Sequence, residues 1–397
     1  MRQTGILPKA IAPHKKGMVM AMRFNYYLPV NLVFGRGVIT QLGEMTARYG
    51  TRALVVTGKT STKKTGLLDK ALGLLQDAGV TPVVFDRVEP NPLTTTAESG
   101  AAFAAEHGCD VVVGLGGGSI MDAAKAIAFC TENHGDISDY IFGRLQSEKA
   151  MPVIAVPTTS GTGSEGNGFA VLTNPETKDK KSLRTPVIVP KVSLVDPELM
   201  MTMPKTLTAT VGFDALCHNI EAYLSSAGQP LTDMMALHGI SLLSKSLQEV
   251  YDDPSNLEAW EDVTFASTLG GMVINTAGIS AAHSMEHPIS GLYDAVHGLG
   301  LAALLPTVVD QSWQSAPAKF QVISQLLGGS GAEDCAEAIR SLLYDLDIAT
   351  TLSQLGAKEK DLDWLADNCI HVGVAGINNN PRRFSRDEIK ELYRMCL

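Results

Sequence analysis

Three of the chain's nine histidines, His283, His287 and His297, fall within the single stretch HSMEHPISGLYDAVHG. His283 and His287 stand four residues apart, and Asp214 and His218 in GFDALCHNIEA repeat that spacing. Residues four apart on a helix project from one face, so each pair can present two ligands to one metal. His297 follows after a turn expected around Gly291. One carboxylate and several imidazoles without a thiolate suit a divalent first-row metal: Fe(II), Zn(II), Co(II) or Ni(II). The chemistry open to such a set is Lewis-acid activation of an oxygen, with a spare imidazole to carry a proton near neutral pH. A lone histidine such as His238 or His371 is ordinarily a core or cap residue. Five polar groups at two helical spacings do not fit that account.

A second group of residues suits a phosphate-bearing ligand. In GGGSIMDAAKAIA, Gly116, Gly117 and Gly118 let the backbone approach a ligand, and Ser119 opens a helix whose free amides attract anions such as a pyrophosphate. Ser119 replaces the last glycine of the common G-x-G-x-x-G pattern, and a glycine turn alone is a weak signal. PTTSGTGSE (157–165) offers the hydroxyls of Thr158, Thr159 and Thr162 to a diphosphate or ribose, or forms a surface loop. In VVTGKTSTKK (55–64), Gly58 stands where dinucleotide folds often place an acid for the adenosine ribose. Lys59, Ser61, Thr62, Lys63 and Lys64 follow it. With no acid at that strand end, NADP can be accommodated as well as NAD.

The elements that must position these residues change character along the chain. β-Branched runs at 53–56, 82–85, 110–115 and 153–157 alternate with helical stretches such as 66–79 and 101–107. Such alternation describes βαβ units in a doubly wound parallel sheet, with ligands at the carboxyl ends of the strands. From about Met203 the pattern becomes long helices, including 209–226 and 231–247. The organisation expected is a Rossmann-like α/β dinucleotide-binding domain over 23–203 and an all-α metal-binding domain over 204–397, joined by a packed seam near Met201 to Lys205. Residues 1–22 read as a disordered N-terminal extension in which Met20 or Met22 is an alternative start. RFNYYLPVNLVFG (23–35) reads as β-rich, serving either as an edge strand for subunit pairing or as a surface hairpin.

Bulk properties narrow the partners. A chain of 397 residues with 45% hydrophobic composition can bury two cores. The net charge of -10, without a Lys/Arg block, excludes a nucleic-acid footprint and favours a small-molecule partner. Six cysteines without a Cys-x-x-Cys pair argue against a disulfide framework and for a reducing compartment. No apolar run reaches the roughly 18 residues of a membrane span, and the chain reads as cytoplasmic.

Taken in order, GGGSIMDAAKAIA, PTTSGTGSE, DALCHNIEAYLS, HSMEHPISGLYDAVHG and NNNPRRFSRDEI resemble the iron-containing (group III) alcohol dehydrogenases. That family includes lactaldehyde reductase, 1,3-propanediol dehydrogenase and clostridial butanol dehydrogenases, and the likeness runs from about Tyr26 to the end. It implies a metal held by Asp214, His218, His283 and His297, and His287 beside the nicotinamide as the proton-transfer group. It implies cofactor contacts by Gly58, Ser61, Gly117, Gly118, Ser119, Asp122, Thr158, Thr159, Thr162 and Lys181. Members specific for NAD tend to carry Asp at the place of Gly58, so the likeness leans towards NADP. Phe169, Ile274 and Ile279 are implied as pocket walls, favouring a short aliphatic alcohol or aldehyde over a charged sugar derivative. The metal implied is Fe(II), with Zn(II) the alternative on ligand preference, and the assembly implied is a homodimer or larger. A dehydroquinate synthase-like lyase, a glycerol dehydrogenase and a non-enzymatic binding protein are the rival readings.

Overall fold

Residues 23–397 are described by a computed structural model, and the expectations for residues 1–22 lie outside them. The strands are β1 (Asn31–Phe34), β2 (Arg52–Gly58), β3 (Thr81–Val88), β4 (Val111–Gly116), β5 (Val153–Pro157), β6 (Phe169–Thr173), β7 (Lys180–Arg184) and β8 (Val192–Val195). The β-branched runs of β2, β4, β5 and β8 suit burial on both faces, as in a parallel sheet covered by helices. Six of them make one parallel sheet in the order β1-β8-β5-β4-β2-β3. Every residue of β4 and β5 is buried, between apolar layers on the two faces. Strand order reverses around β2 and β4. The loops after these two strands, at Gly58 and Gly117, therefore flank the crevice where open α/β sheets bind ligands.

The remaining strands pair as an antiparallel ribbon, with Phe169 opposite Arg184 and Thr173 opposite Lys180. The ribbon leaves the sheet and leans over the helical half. That half contains helices Lys205–Leu224, Pro230–Asp252, Leu257–Ala277, Ala281–Tyr293 and His297–Ser312 around one apolar core. No helix among the described residues is long and apolar enough to cross a membrane.

Two local expectations are corrected. The segment 23–35 forms no hairpin: only Asn31–Phe34 is a strand, lying parallel to β8 at the sheet's edge. Gly291 does not make the turn before His297, because it lies inside the helix Ala281–Tyr293. The chain turns at Asp294, whose φ of 52° is left-handed, a conformation that Asp tolerates better than most residues. Gly291 serves packing: a Cβ there would stand 2.2 Å from the carbonyl oxygen of Lys178 in the β6–β7 turn.

The threonine loop is keyed into the helical half. Gly163 has φ +57°, and a Cβ on it would fall 2.4 Å from the Ser267 carbonyl oxygen of the Leu257–Ala277 helix. Ser160 pairs with Thr264, and Thr268 donates to Glu165 at 2.7 Å. Lys125, fully buried in the glycine-turn helix, donates to the Ser164 carbonyl at 2.9 Å and to Asn167 Oδ1 at 3.1 Å. Burial lowers its pKa to about 8 against the pull of Asp122 and Glu165. This buried network fixes the loop between the glycine turn and the histidine-bearing helices.

Candidate active site

Helical spacing brings the predicted ligands to one point. Asp214 and His218 sit one turn apart on the Lys205–Leu224 helix, His283 comes from the Ala281–Tyr293 helix, and His297 opens the following one. Three ring nitrogens face one carboxylate oxygen: Asp214 Oδ1 is 3.3 Å from His283 Nε2, 3.6 Å from His297 Nε2 and 3.7 Å from His218 Nδ1. His218 Nδ1 is buried and has no hydrogen-bond partner among the described residues. A tetrahedral ion with bonds of about 2.1 Å holds its ligand atoms about 3.4 Å apart, close to the spacings from Oδ1. The ligand atoms of Asp214, His283 and His297 all lie within 4.8 Å of one another, whereas His218 falls outside that group and approaches through Asp214. The orphaned nitrogen, the spacing and the three-nitrogen, one-oxygen donor set all fit a divalent metal.

Two carboxylates orient the imidazoles from behind. Glu221 accepts from His283 Nδ1 at 2.5 Å and from the amide and hydroxyl of Ser280 at 2.5 and 3.0 Å. Glu286 accepts from His297 Nδ1 and from Ser290 Oγ. Each carboxylate holds a proton on Nδ1 and so turns Nε2 towards Asp214, the usual supporting arrangement for a metal-binding histidine. Burial would raise Glu221 and Glu286, but the charges and hydrogen bonds of His283 and His297 outweigh it and hold both below the usual range. Burial would likewise raise Asp214, yet the three imidazoles pull it well below. Burial lowers His218 to about 4 despite Asp214, whereas Glu221 and Asp214 overcome burial at His283 and raise it to about 10. The cluster is built around positive charge.

His287 faces the same space without joining the four. Its ring centre lies 6.3 Å from that of His283 and 5.9 Å from that of His297. Burial, reinforced by Lys180 and the neighbouring imidazoles, holds it neutral. It lines a cavity of about 120 Å³ with His218, His283, His297 and the three predicted wall residues Phe169, Ile274 and Ile279. The wall is less apolar than the sequence suggested, because Lys180, Ser182 and Arg184 line it too.

A groove of about 570 Å³ opens beside this cavity, lined by Gly58, Lys59, Ser61, Gly117, Gly118, Ser119, Thr159 and Thr162, and by Asp214 and His297 at its inner end. Cavity and groove share Gly118, Ser119, Thr162 and His297. A molecule lying along the glycine turn therefore reaches the metal-ligand cluster. Glycine is required at 118 by packing as well as by access, since a Cβ there would stand 2.3 Å from Thr162 Cγ2.

Four of the expected cofactor contacts need correction or qualification. Lys181 points away from the groove and donates to the Val372 carbonyl at 2.7 Å, while its neighbour Lys180 faces the cavity and bonds Asn91 at 2.9 Å. Asp122 lines the cavity, but its carboxylate is engaged by Ser164 Oγ at 2.5 Å and the Val171 amide at 3.0 Å, bracing the threonine loop. Thr158 does not line either space; its amide donates to the Gly116 carbonyl at 3.0 Å. The Gly58 end of the groove is not free of acids, because Glu89 lines it from the loop after β3 and Lys63 is ion-paired with Asp86. Glu89 is itself bonded by the Leu93 amide and the Thr96 hydroxyl, both at 2.8 Å.

The sequence reading overlooked Glu221, Glu286, Lys180, Arg184 and Lys125. Glu221 lies three residues after His218 and Glu286 three after His283, a spacing that shares a helix face, so both are detectable from the sequence.

The chain is similar to known proteins over most of its length. Residues 29–197 match the family model described as iron-containing alcohol dehydrogenase, and residues 208–397 match that of the C-terminal part of the Fe-containing alcohol dehydrogenase family. The chain is 38% identical over 383 residues to a 1,3-propanediol dehydrogenase of Klebsiella pneumoniae, covering 94% of this chain and 98% of that one. It is 33% identical to an NADPH-dependent butanol dehydrogenase of Clostridium saccharobutylicum, covering 94% and 97%. The structure superposes on that of an archaeal halo-thermophilic alcohol dehydrogenase from a Red Sea brine pool with a TM-score of 0.91 at 34% identity, covering 95% of this chain and all of the other.

Proposed function

The chain belongs to the iron-containing alcohol dehydrogenase family, and on that premise we propose that it exchanges hydride between a short-chain primary alcohol or diol and a nicotinamide dinucleotide, reversibly, at the Asp214-His218-His283-His297 cluster. The observation that carries this reading is the shared wall of the two spaces: Gly118, Ser119, Thr162 and His297 border both the groove and the cavity.

The amides of Gly117, Gly118 and Ser119, at the N-terminus of the Gly118–Glu132 helix, would hold a diphosphate. Thr159 and Thr162, which bound the same groove, would hold the rest of the dinucleotide. Asp214, His218, His283 and His297 would hold the metal, and a bound divalent cation supplies Lewis acidity that lowers the pKa of an alcohol's hydroxyl. Phe169, Ile274 and Ile279 exclude water from the reacting carbon. His287 takes up the hydroxyl proton at a ring nitrogen during alcohol oxidation and returns it during aldehyde reduction. Positioning both reactants in one narrow space provides much of the rate.

Turnover of a short-chain aldehyde series under anaerobic conditions with NADH and with NADPH, and elemental analysis of the same sample, test this reading. Activity with about one divalent metal per chain is expected. Metal without turnover of any alcohol or aldehyde would return the chain to the lyase or binding-protein readings. We assign the metal as Fe(II), although ligand preference by itself favours zinc. Aerobically prepared protein is expected to regain activity with ferrous salt and reductant; equal activity after aerobic and anaerobic preparation would exclude iron.

The absence of an acid at position 58 supports acceptance of NADPH. There is room for a side chain, because a Cβ on Gly58 would meet Ile120 Cδ1 at an ordinary 3.6 Å. Gly58→Asp is expected to lower kcat/KM for NADPH relative to NADH roughly tenfold or more, the effect of about 1.4 kcal/mol of repulsion between like charges. An unchanged ratio would show that the 2′-phosphate lies elsewhere. We also read the chain as a homo-oligomer, supported by the outer edge of β1, which carries no partner strand among the described residues.

A further inference from the structure

Strand β7 presents alternate side chains to the cavity: Lys180, Ser182 and Arg184 line it, while Leu183 turns into the apolar core. The two cations differ in their surroundings. Lys180 is buried, bonds Asn91 at 2.9 Å and lies 3.9 Å from Glu286. Arg184 is exposed at the rim of the cavity, and its side chain has no carboxylate within ion-pairing distance and no hydrogen-bond partner among the described residues. Its guanidinium carbon lies 4.5 Å from the centre of the Phe169 ring, across the β6–β7 pair. Stacking leaves the edge of a guanidinium, with its forked donors, free to meet a ligand.

Pairing among its neighbours makes Arg184 the odd residue. Lys180 faces Glu286, and Asp122 and Lys125 form their own pair at 3.6 Å. Arg184 alone among these charged groups faces the cavity with its side-chain donors open.

We infer that Arg184 receives a carboxylate at the far end of the substrate, so that the substrates this site prefers are short ω-hydroxy acids and the matching aldehyde acids. A planar guanidinium edge matches a carboxylate in a two-point contact, whereas an uncharged diol leaves Arg184 unpaired. The inference rests on the alcohol dehydrogenase reading above, and adds to it the charge of the substrate's tail.

The test compares 4-oxobutanoate with butanal, equal in length, as substrates of the metal-loaded enzyme. The anion is expected to have a kcat/KM roughly tenfold higher or more, the usual size of one charge-assisted contact, expressed mainly in KM. Arg184→Gln should reduce the anion-to-neutral ratio by the same factor, and Arg184→Lys should restore part of it. Calorimetric titration of 4-hydroxybutanoate into the wild-type protein and Arg184→Gln supplies a readout independent of turnover, with binding expected for the first and loss of it for the second. Butanal equal to or better than the anion, with a ratio indifferent to Arg184→Gln, would overturn the inference. If neither aldehyde is reduced but 4-hydroxybutanoate still binds in an Arg184-dependent way, the carboxylate assignment stands and the dehydrogenase reading falls. If neither is reduced and nothing binds, both fall.

Discussion

Asp214→Asn is expected to abolish turnover and to leave the purified protein with far less than one metal per chain. Asp214 Oδ1 is the point on which the three imidazole nitrogens converge, at 3.3, 3.6 and 3.7 Å. The amide keeps the size of the carboxylate, so packing in the helical core is preserved and only the negative charge is lost. That charge is what opposes burial at His218 and, with Glu221, sustains the raised pKa of His283. Without it, three buried imidazoles face a cation with only neutral ligands of their own. Lewis-acid activation is worth several kcal/mol, and each 1.36 kcal/mol is a factor of ten, so a loss of about three decades or more in kcat/KM is expected. Far-ultraviolet circular dichroism should remain that of the wild type. A variant that keeps its metal and loses less than tenfold in activity would show that Asp214 is not a ligand.

The helical part of this site was legible because its rule is one-dimensional. Four-residue spacing places Asp214 over His218 and His283 over His287 whatever surrounds them, and the structure brings the faces together. Glu221 and Glu286 stand three residues after His218 and His283, the companion spacing on the same helix face. The ribbon was harder. Period two separates Lys180 and Arg184 from Lys181, but does not say which set faces the cleft; that depends on how the ribbon leans on the Ala281–Tyr293 helix, through the contact of Gly291 with Lys178. The sequence reading chose Lys181, and the structure turns it to Val372.

Composition misled where one residue type had two tasks. PTTSGTGSE looked like a loop shaped for a ligand or for solvent. Its glycines answer to the helices instead: a Cβ on Gly161 would stand 2.8 Å from the Val211 carbonyl oxygen, and one on Gly163 2.4 Å from that of Ser267. Only Thr159 and Thr162 of its three threonines reach the groove. Lys125 was passed over for a related reason, since a lysine within a helix is ordinarily solvated. Its full burial follows from partners 39 to 42 residues away, which no local pattern reveals.

His287→Ala is expected to lower kcat by roughly a hundredfold to ten-thousandfold, the usual contribution of one acid-base group, while the metal content stays near that of the wild type. Glu286, His287 and His297 also place potential ligand atoms close together, so the alternative is that His287 binds a metal. The environment of Glu286 argues against this. Both its oxygens are already engaged, one by Ser290 Oγ and the other by His297 Nδ1, and the second bond orients His297 towards Asp214. A metal bound between Glu286 and His287 would have to break the contact that completes the first cluster. His287 instead keeps a neutral ring facing the cavity that holds the reacting carbon. Added imidazole should restore part of the lost rate, because it can enter the space vacated by the side chain and carry the same proton. Loss of the metal along with activity would make His287 a ligand; an unchanged kcat would mean that the proton leaves by another route.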